Sequence, residues 1–247
     1  MSQGLVILGA TSKIAQEVAR IAAGEGRELL LVARNDERLE AVAGDLLARG
    51  ASRVDSITED LSDSAKHEEL WARIEATMPE FSSVLLAYGS LGDQERAEAS
   101  VAYTLRELNT NFTSAASLLS YAAAVLEHRR TGVLAVITSV AGDRARRSNY
   151  VYGTAKGALT LFVQGLRSRL FSSGIRVLTI KPGPVDTPMI AHMKKGLLTA
   201  SPQAVAARIY REMEEGKAEV IYVPGYWRAI MAVVRAIPES VGKKLKF

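Results

Sequence analysis

The chain has 247 residues, a length that one α/β domain can fill undivided, and 48 % of them are hydrophobic, enough for a buried core. It has no cysteine, which excludes disulfides and thiolate metal sites, and its three His, at 67, 128 and 192, lack paired metal-ligand spacing, so no metal is expected. Net charge is +4, but the 31 Lys+Arg and 27 Asp+Glu are mostly interleaved, and without a basic stripe carrying aromatics no nucleic-acid partner is expected. A strand begins almost at once, and no apolar stretch of about 18 residues occurs, so a cytoplasmic protein is expected.

The first apolar run, Leu5-Val6-Ile7-Leu8, lacks polar alternation and reads as a strand buried on both faces. The loop Gly9-Ala10-Thr11-Ser12-Lys13-Ile14-Ala15 follows and opens a helix over 14–23. A small turn-rich loop here aims backbone N–H groups and a helix N-terminus at a phosphate. Gly9, Thr11, Ser12, Lys13 and Ile14 are therefore candidate cofactor residues. The dinucleotide fingerprint keeps Gly9 and a tolerated Ala15, with Lys13 in the second glycine place, so alone the loop also fits a plain strand–helix turn.

A second strand at 29–33 ends on Arg34, about 20 residues after the loop, where NAD-binding chains carry Asp or Glu. A guanidinium there suits the 2′-phosphate of NADP, so NADP(H) is preferred and NAD(H) admitted; the alternative is a solvated charge ahead of an Asn35 or Asp36 helix cap. After a helix at 37–48, the strand at 53–58 leads to Asp60-Leu61, suited to the adenine amino group. After a helix at 65–77, the strand at 84–87 ends in Ala87-Tyr88-Gly89, whose glycine permits close backbone approach. A helix over 104–127 precedes a fifth strand, 133–139, ending on Ser139. A helix over 150–171 carries Tyr152 and Lys156. The sixth strand, 176–180, runs into Lys181-Pro182-Gly183-Pro184-Val185-Asp186-Thr187, a sharp turn over the sheet edge. A helix at 202–215 and a seventh strand at 220–223 complete the pattern. Seven strands alternating with six helices, with no linker or repeat, predict one α/β domain over 1–247 with a doubly wound seven-stranded parallel sheet. Residues 226–247 form a C-terminal apolar and basic extension.

Tyr152 and Lys156, at i and i+4, share one helix face, and Ser139 at a strand end can lean over it. A free phenol titrates near ~10, and a neighbouring ammonium should lower that value. Ser139 would hold a carbonyl oxygen, with Tyr152 as general acid in reduction and general base in oxidation. Taken alone, the Tyr–Lys pair fits a half-solvated helix face better. The cofactor-suited loop after each of the first six strands reverses that preference, because independent segments agree.

In order and spacing these elements resemble the short-chain dehydrogenase/reductase family over nearly the whole length. The matching residues are Gly9-Ala10-Thr11-Ser12-x-Ile14, Asp60-Leu61, Asn111 in Asn109-Thr110-Asn111, Ser139, Tyr152-x-x-x-Lys156 and Pro182-Gly183-x-Val185-x-Thr187. The resemblance implies a Rossmann fold, a nicotinamide cofactor, and catalytic roles for Ser139, Tyr152 and Lys156. It implies that Asn111 anchors a water completing a proton relay to the lysine. It also implies cofactor contacts from Ala87, Gly89, Tyr152, Lys156 and Pro182, with Val185 and Thr187 holding the carboxamide. Lys13 departs from the family's second glycine, and Ala87-Tyr88-Gly89 from its Asn-Ala-Gly. The resemblance also implies a homodimer or homotetramer. A catalytically silent nucleotide-binding sensor or scaffold is the alternative function, although such a chain would be expected to have lost the Tyr or the Lys.

A narrower resemblance, to the reductase-subunit type of decaprenylphosphoryl-ribose epimerase, rests on Gly89-Ser90-Leu91-Gly92-Asp93, the segment from Ser139 to Asn149, Val223-Pro224-Gly225 and Ile237-Pro238. It implies a keto-sugar substrate, free or linked to a lipid phosphate. Arg144, Arg146 and Arg147 lie between Ser139 and Tyr152, and an Arg fork suits a phosphate. They could equally pair with Asp143, meet another subunit or face water. Residues 226–237 mix apolar residues, arginines and interfacial aromatics, followed by Lys243, Lys244, Lys246 and Phe247. Core or interface packing is the leading reading of this stripe, with peripheral membrane contact the alternative.

Overall fold

A computed structural model describes residues 4–191 and 196–244; His192, Lys246 and Phe247, named above, lie outside the described residues. The strands are β1 (Gly4–Leu8), β2 (Glu28–Ala33), β3 (Arg53–Thr58), β4 (Phe81–Leu86), β5 (Val133–Ile137), β6 (Arg176–Pro182) and β7 (Val220–Val223). The helices are α1 (Lys13–Gly24), α2 (Asp36–Ala48), α3 (His67–Thr77), α4 (Gln94–Ala99), α5 (Val101–Leu108), α6 (Ser114–Arg129), α7 (Tyr150–Leu170), α8 (Pro202–Glu214), α9 (Trp227–Ala236) and α10 (Glu239–Gly242).

Alternation along the strands builds two cores. Leu5, Ile7, Leu29 and Leu31 point to one face of the sheet, beneath α1, α2 and α8, whereas Val6, Leu8, Leu30 and Val32 point to the other, beneath α3, α6 and α7. Both faces are therefore apolar, which is why these runs show no polar alternation in the sequence. Each fully buried Leu contributes roughly 1.5–3 kcal/mol relative to an exposed one. The seven strands lie in the order β3-β2-β1-β4-β5-β6-β7, all parallel. The chain reverses its direction of travel across the sheet between β1 and β4, and ligands of such sheets sit at that point, beyond the strand C-termini.

Several boundaries differ from the sequence expectation, and three of them bear on the site. β5 stops at Ile137, and the Thr138 backbone N–H and hydroxyl both donate to the Ile180 carbonyl, at 2.7 and 3.0 Å. β6 runs on to Pro182 because β7 pairs with it up to Val223. The helix expected over 104–127 is two helices joined by a π-helical turn over Asn109–Thr113, preceded by the short α4. Asn109 donates to the Ser62 carbonyl at 2.9 Å and accepts from Thr113 Oγ1 at 2.7 Å, side-chain bonds that compete with regular helix. Among the described residues, no helix is long and apolar enough to cross a membrane.

Candidate active site

A cleft of about 1110 Å³ lies at the C-terminal edge of the strands. Gly9 has φ +93°, and a Cβ there would lie 2.6 Å from the Tyr88 side chain, so the turn requires glycine. Ser12 is the N-cap of α1 but makes no side-chain cap. The first N–H groups of α1 thus lack a side-chain partner, as a phosphate cradle requires. Thr11 and Ile14 line the same wall. Lys13 opens the helix, and its ammonium pairs with Glu17 at 2.9 Å. Its backbone needs no positive φ, which is why the second glycine can be absent.

Arg34 stands exposed at the lip of the cleft beside Asp60. Asp60 accepts from the Ser62 N–H at 3.0 Å and the Ser62 hydroxyl at 2.8 Å. The Ser62 backbone bond is the main reason its carboxyl lies below the usual range, with Arg34 a smaller contributor. Leu61 is buried, and His67 Nε2 donates to its carbonyl at 3.2 Å while Nδ1 accepts from Ser117 at 2.9 Å. His67 is wholly buried, which pushes its pKa down. It fixes the Asp60-Leu61 loop, a role that no local sequence signal announces.

At the other end, Ser139, Tyr152 and Lys156 meet in the cleft wall. Ser139 Oγ accepts from the Ala141 N–H at 3.1 Å, which leaves its own proton free to donate. The following 3₁₀ turn, Val140–Asp143, rests on α7 at Gly142; a Cβ there would lie 2.7 Å from the Gly157 nitrogen. Lys156 is 4 % exposed, with Nζ 3.5 Å from the Ile137 carbonyl and 5.8 Å from the Tyr152 ring centre.

The expected electrostatics need correction. Burial pushes the Tyr152 phenol up, opposed by the Ser139 hydroxyl rather than by Lys156. Burial likewise pushes Lys156 down, to about 8. Both groups are biased toward their uncharged forms, because burial disfavours the charged form of each.

Asn111 is 1 % exposed, just behind this trio. Its Oδ1 accepts from the Ser90 N–H at 3.1 Å, and its Nδ2 donates to Ser90 Oγ at 3.2 Å and to the Glu107 carbonyl at 3.1 Å. The Ser90 hydroxyl donates onward to the Glu107 carboxylate, which lines the cleft. A Cβ on Gly89, at φ +153°, would lie 2.7 Å from Asn111 Oδ1 and 3.2 Å from Lys156 Nζ. The glycine retained in Ala87-Tyr88-Gly89 is therefore the residue this contact needs. Ser90 and Glu107 escaped sequence reasoning because only the fold brings them to Asn111.

Ala87, Pro182, Val185 and Thr187 complete the lining. Gly183 lies under the Trp227 indole, so α9 packs at the edge of the cleft. The three arginines separate. Arg144 does not face the cleft: its Nη1 donates to the carbonyls of Val234 at 3.2 Å, Arg235 at 3.4 Å and Ile237, and Nη2 pairs with Glu239 at 3.2 Å. It is a tether for the end of α9, because bare helix C-terminal carbonyls attract a cation. Arg147 is exposed and outside the lining, whereas Arg146 lies in it. Asp143 does not serve these arginines; its carboxylate takes Lys181 and the Tyr222 hydroxyl, the latter at 2.6 Å.

Residues 3–197 match a family model described as short chain dehydrogenase. An uncharacterized oxidoreductase of Mycobacterium tuberculosis is 37 % identical over 241 residues, covering 98 % of this chain and 96 % of that protein. A short chain dehydrogenase from Burkholderia cenocepacia, solved in complex with NADP, superposes with a TM-score of 0.83 at 16 % identity, covering 100 % of this chain and 98 % of that one. Another, from Sphingobium yanoikuyae in complex with NADPH, gives 0.82 at 21 % identity, covering 96 % and 97 %. At these identities the two structures establish a shared fold. The family match and the long relative go further: the chain belongs to the short chain dehydrogenase family and is an oxidoreductase of that nicotinamide-using class.

Proposed function

We propose that the protein interconverts a carbonyl compound and its secondary alcohol with NADP(H) as preferred cofactor. The observation that carries this reading is the meeting of Ser139, Tyr152 and Lys156 in the cleft. The nicotinamide, when bound, supplies or accepts the hydride. The uncapped start of α1, with Gly9, Thr11, Ser12, Lys13 and Ile14, would hold the pyrophosphate, and Asp60-Leu61 the adenine. Arg34, exposed with no bonded carboxylate among the described residues, would take the 2′-phosphate. Ala87, Gly89, Pro182, Val185 and Thr187 would line the nicotinamide end, with Lys156 on its ribose.

Ser139 donates its free proton to the substrate oxygen. Tyr152, neutral because of its burial, gives that oxygen a proton in reduction and recovers one in oxidation. Lys156, with a water anchored by Asn111, would replace the phenolic proton from behind. Tyr152→Phe tests the assignment: NADPH binding persists while turnover falls by about 10²–10⁴-fold.

The narrower resemblance supports a keto-sugar, free or lipid-phosphate-linked, as substrate. The exposed Val233 of α9 and Val241 of α10 support peripheral membrane contact, which co-sedimentation with anionic liposomes at low salt tests. Exposed Val101 and Leu105 of α5 and Leu161 of α7 support assembly into a homodimer or homotetramer.

A further inference from the structure

The turn that follows Ser139 is held from two sides. On one side Gly142 rests on α7 at Gly157. On the other, its last residue, Asp143, and the next, Arg144, both reach into the C-terminal part of the chain. The Asp143 side chain is 4 % exposed and pairs with Lys181 of β6, which is also buried. It accepts as well from the Tyr222 hydroxyl of β7 at 2.6 Å. The Lys181 ammonium lies 5.4 Å from the Tyr222 ring centre. A buried carboxylate needs such partners fixed in place, so the cluster ties the turn to β6 and β7.

Arg144 extends the link to the C-terminal helices. Its side chain is 15 % exposed. Nη1 takes the carbonyls of Val234, Arg235 and Ile237 at the end of α9, and Nη2 takes Glu239 of α10. The α10 backbone passes so close that a Cβ on Gly242 would collide with Nη2. Of the side chains of α9 only Met231 is buried, and it belongs to neither core of the sheet. The first residue of α9, Trp227, lies over Gly183 in the cleft wall. The helix thus rests on two turns at one end of the cleft, through Arg144 and through Trp227, rather than on the sheet.

We infer that Asp143 and Arg144 are positioning residues: they moor the Ser139 turn to the C-terminal elements and so fix where Ser139 presents its hydroxyl beside Tyr152. The inference rests on the proposed oxidoreductase site and adds to it the elements that hold one of its members. Small displacements matter there, since about 1 Å of misplacement can cost roughly 10²-fold in rate.

Arg144→Met, which keeps the stem and removes the fork, is the main test variant, because loss of Asp143 would leave Lys181 buried without its counter-ion. Tyr222→Phe is the second; it keeps the ring and removes one bond to Asp143. The first measurement is amide hydrogen exchange of the full chain, with and without NADP⁺, which needs no substrate. In Arg144→Met, exchange rises over residues 139–149 and stays parental in β1, β2 and β3, and Arg144→Lys restores part of the protection. Unchanged protection over 139–149 overturns the inference. The second measurement is kcat for any ketone that the parent reduces. Arg144→Met lowers it by about tenfold or more at unchanged NADPH affinity, and Tyr222→Phe lowers it by less. In a Ser139→Ala background neither change costs anything further, because a residue that acts through Ser139 has nothing left to position. A merely structural role would cost the same in both backgrounds, and that result overturns the inference. A parent that reduces no ketone defeats the hydride-transfer reading instead, and hydrogen exchange then decides the mooring by itself.

Discussion

Lys156 shows how the site trades stability for chemistry. Its pKa is lowered by burial from 10.5 to about 8, so the folded protein binds the proton less well than the unfolded chain. The sign follows from linkage: below pH 8 the buried ammonium destabilises the fold in full, and the penalty fades as pH rises toward 10.5. Lys156→Met should therefore raise stability at pH 7 by up to about 3 kcal/mol while abolishing turnover, with the gain vanishing by about pH 10.5. Denaturant melts at several pH values would check this; a gain independent of pH would contradict it. For the parent, turnover should decline above about pH 8 as the ammonium is lost. Glu107→Gln keeps an acceptor for Ser90 but removes the charge; because Glu107 positions Ser90, it should leave the pH–rate profile unchanged, and a shifted profile would contradict that role. The meeting of the trio was legible in the sequence only through the agreement of the strand-end loops, because i, i+4 spacing alone joins Tyr152 and Lys156 but not Ser139. The direction of the Tyr152 shift was not, because desolvation depends on what packs around a residue.

At the scale of elements, the turn carrying Ser139 is held against α7 by close backbone approach. A Cβ on Gly142 would meet the Gly157 nitrogen at 2.7 Å and the Lys156 carbonyl carbon at 2.7 Å, and neither can yield as a flexible side chain could. Gly142→Ala should lift Ser139 from Tyr152, costing roughly 1–3 kcal/mol of stability and most of the turnover, with NADPH affinity nearly intact. Thermal melts with NADPH titration would check this. The strand–helix rhythm was readable because strands buried on both faces stay apolar throughout. The π-helical turn that carries Asn111, and the short α4 that supplies Gln94, were not readable. Each depends on bonds to distant residues, such as Asn109 to Ser62 and Gln94 to Val151. Arg144 likewise passed for a substrate ligand because its partners on α9 are about ninety residues away in sequence.

At the scale of the molecule, the cations that line the cleft without a bonded acid include Arg34 at the adenosine end and Arg146 near Tyr152. Arg34 is placed to suit a 2′-phosphate at the adenosine end. Arg34→Ala should cut NADPH affinity by about tenfold while changing NADH affinity little. Equal losses for both would refute the NADP preference. The central claim is that Tyr152 moves the proton that accompanies hydride transfer. It is tested most directly by NADPH oxidation against a panel of keto-sugars, phosphorylated keto-sugars and simple ketones, for the parent and Tyr152→Phe side by side. The account predicts turnover by the parent, with the variant slower by about 10²–10⁴-fold at unchanged NADPH affinity. Reduction of the same substrate by Tyr152→Phe at the parental rate would contradict it.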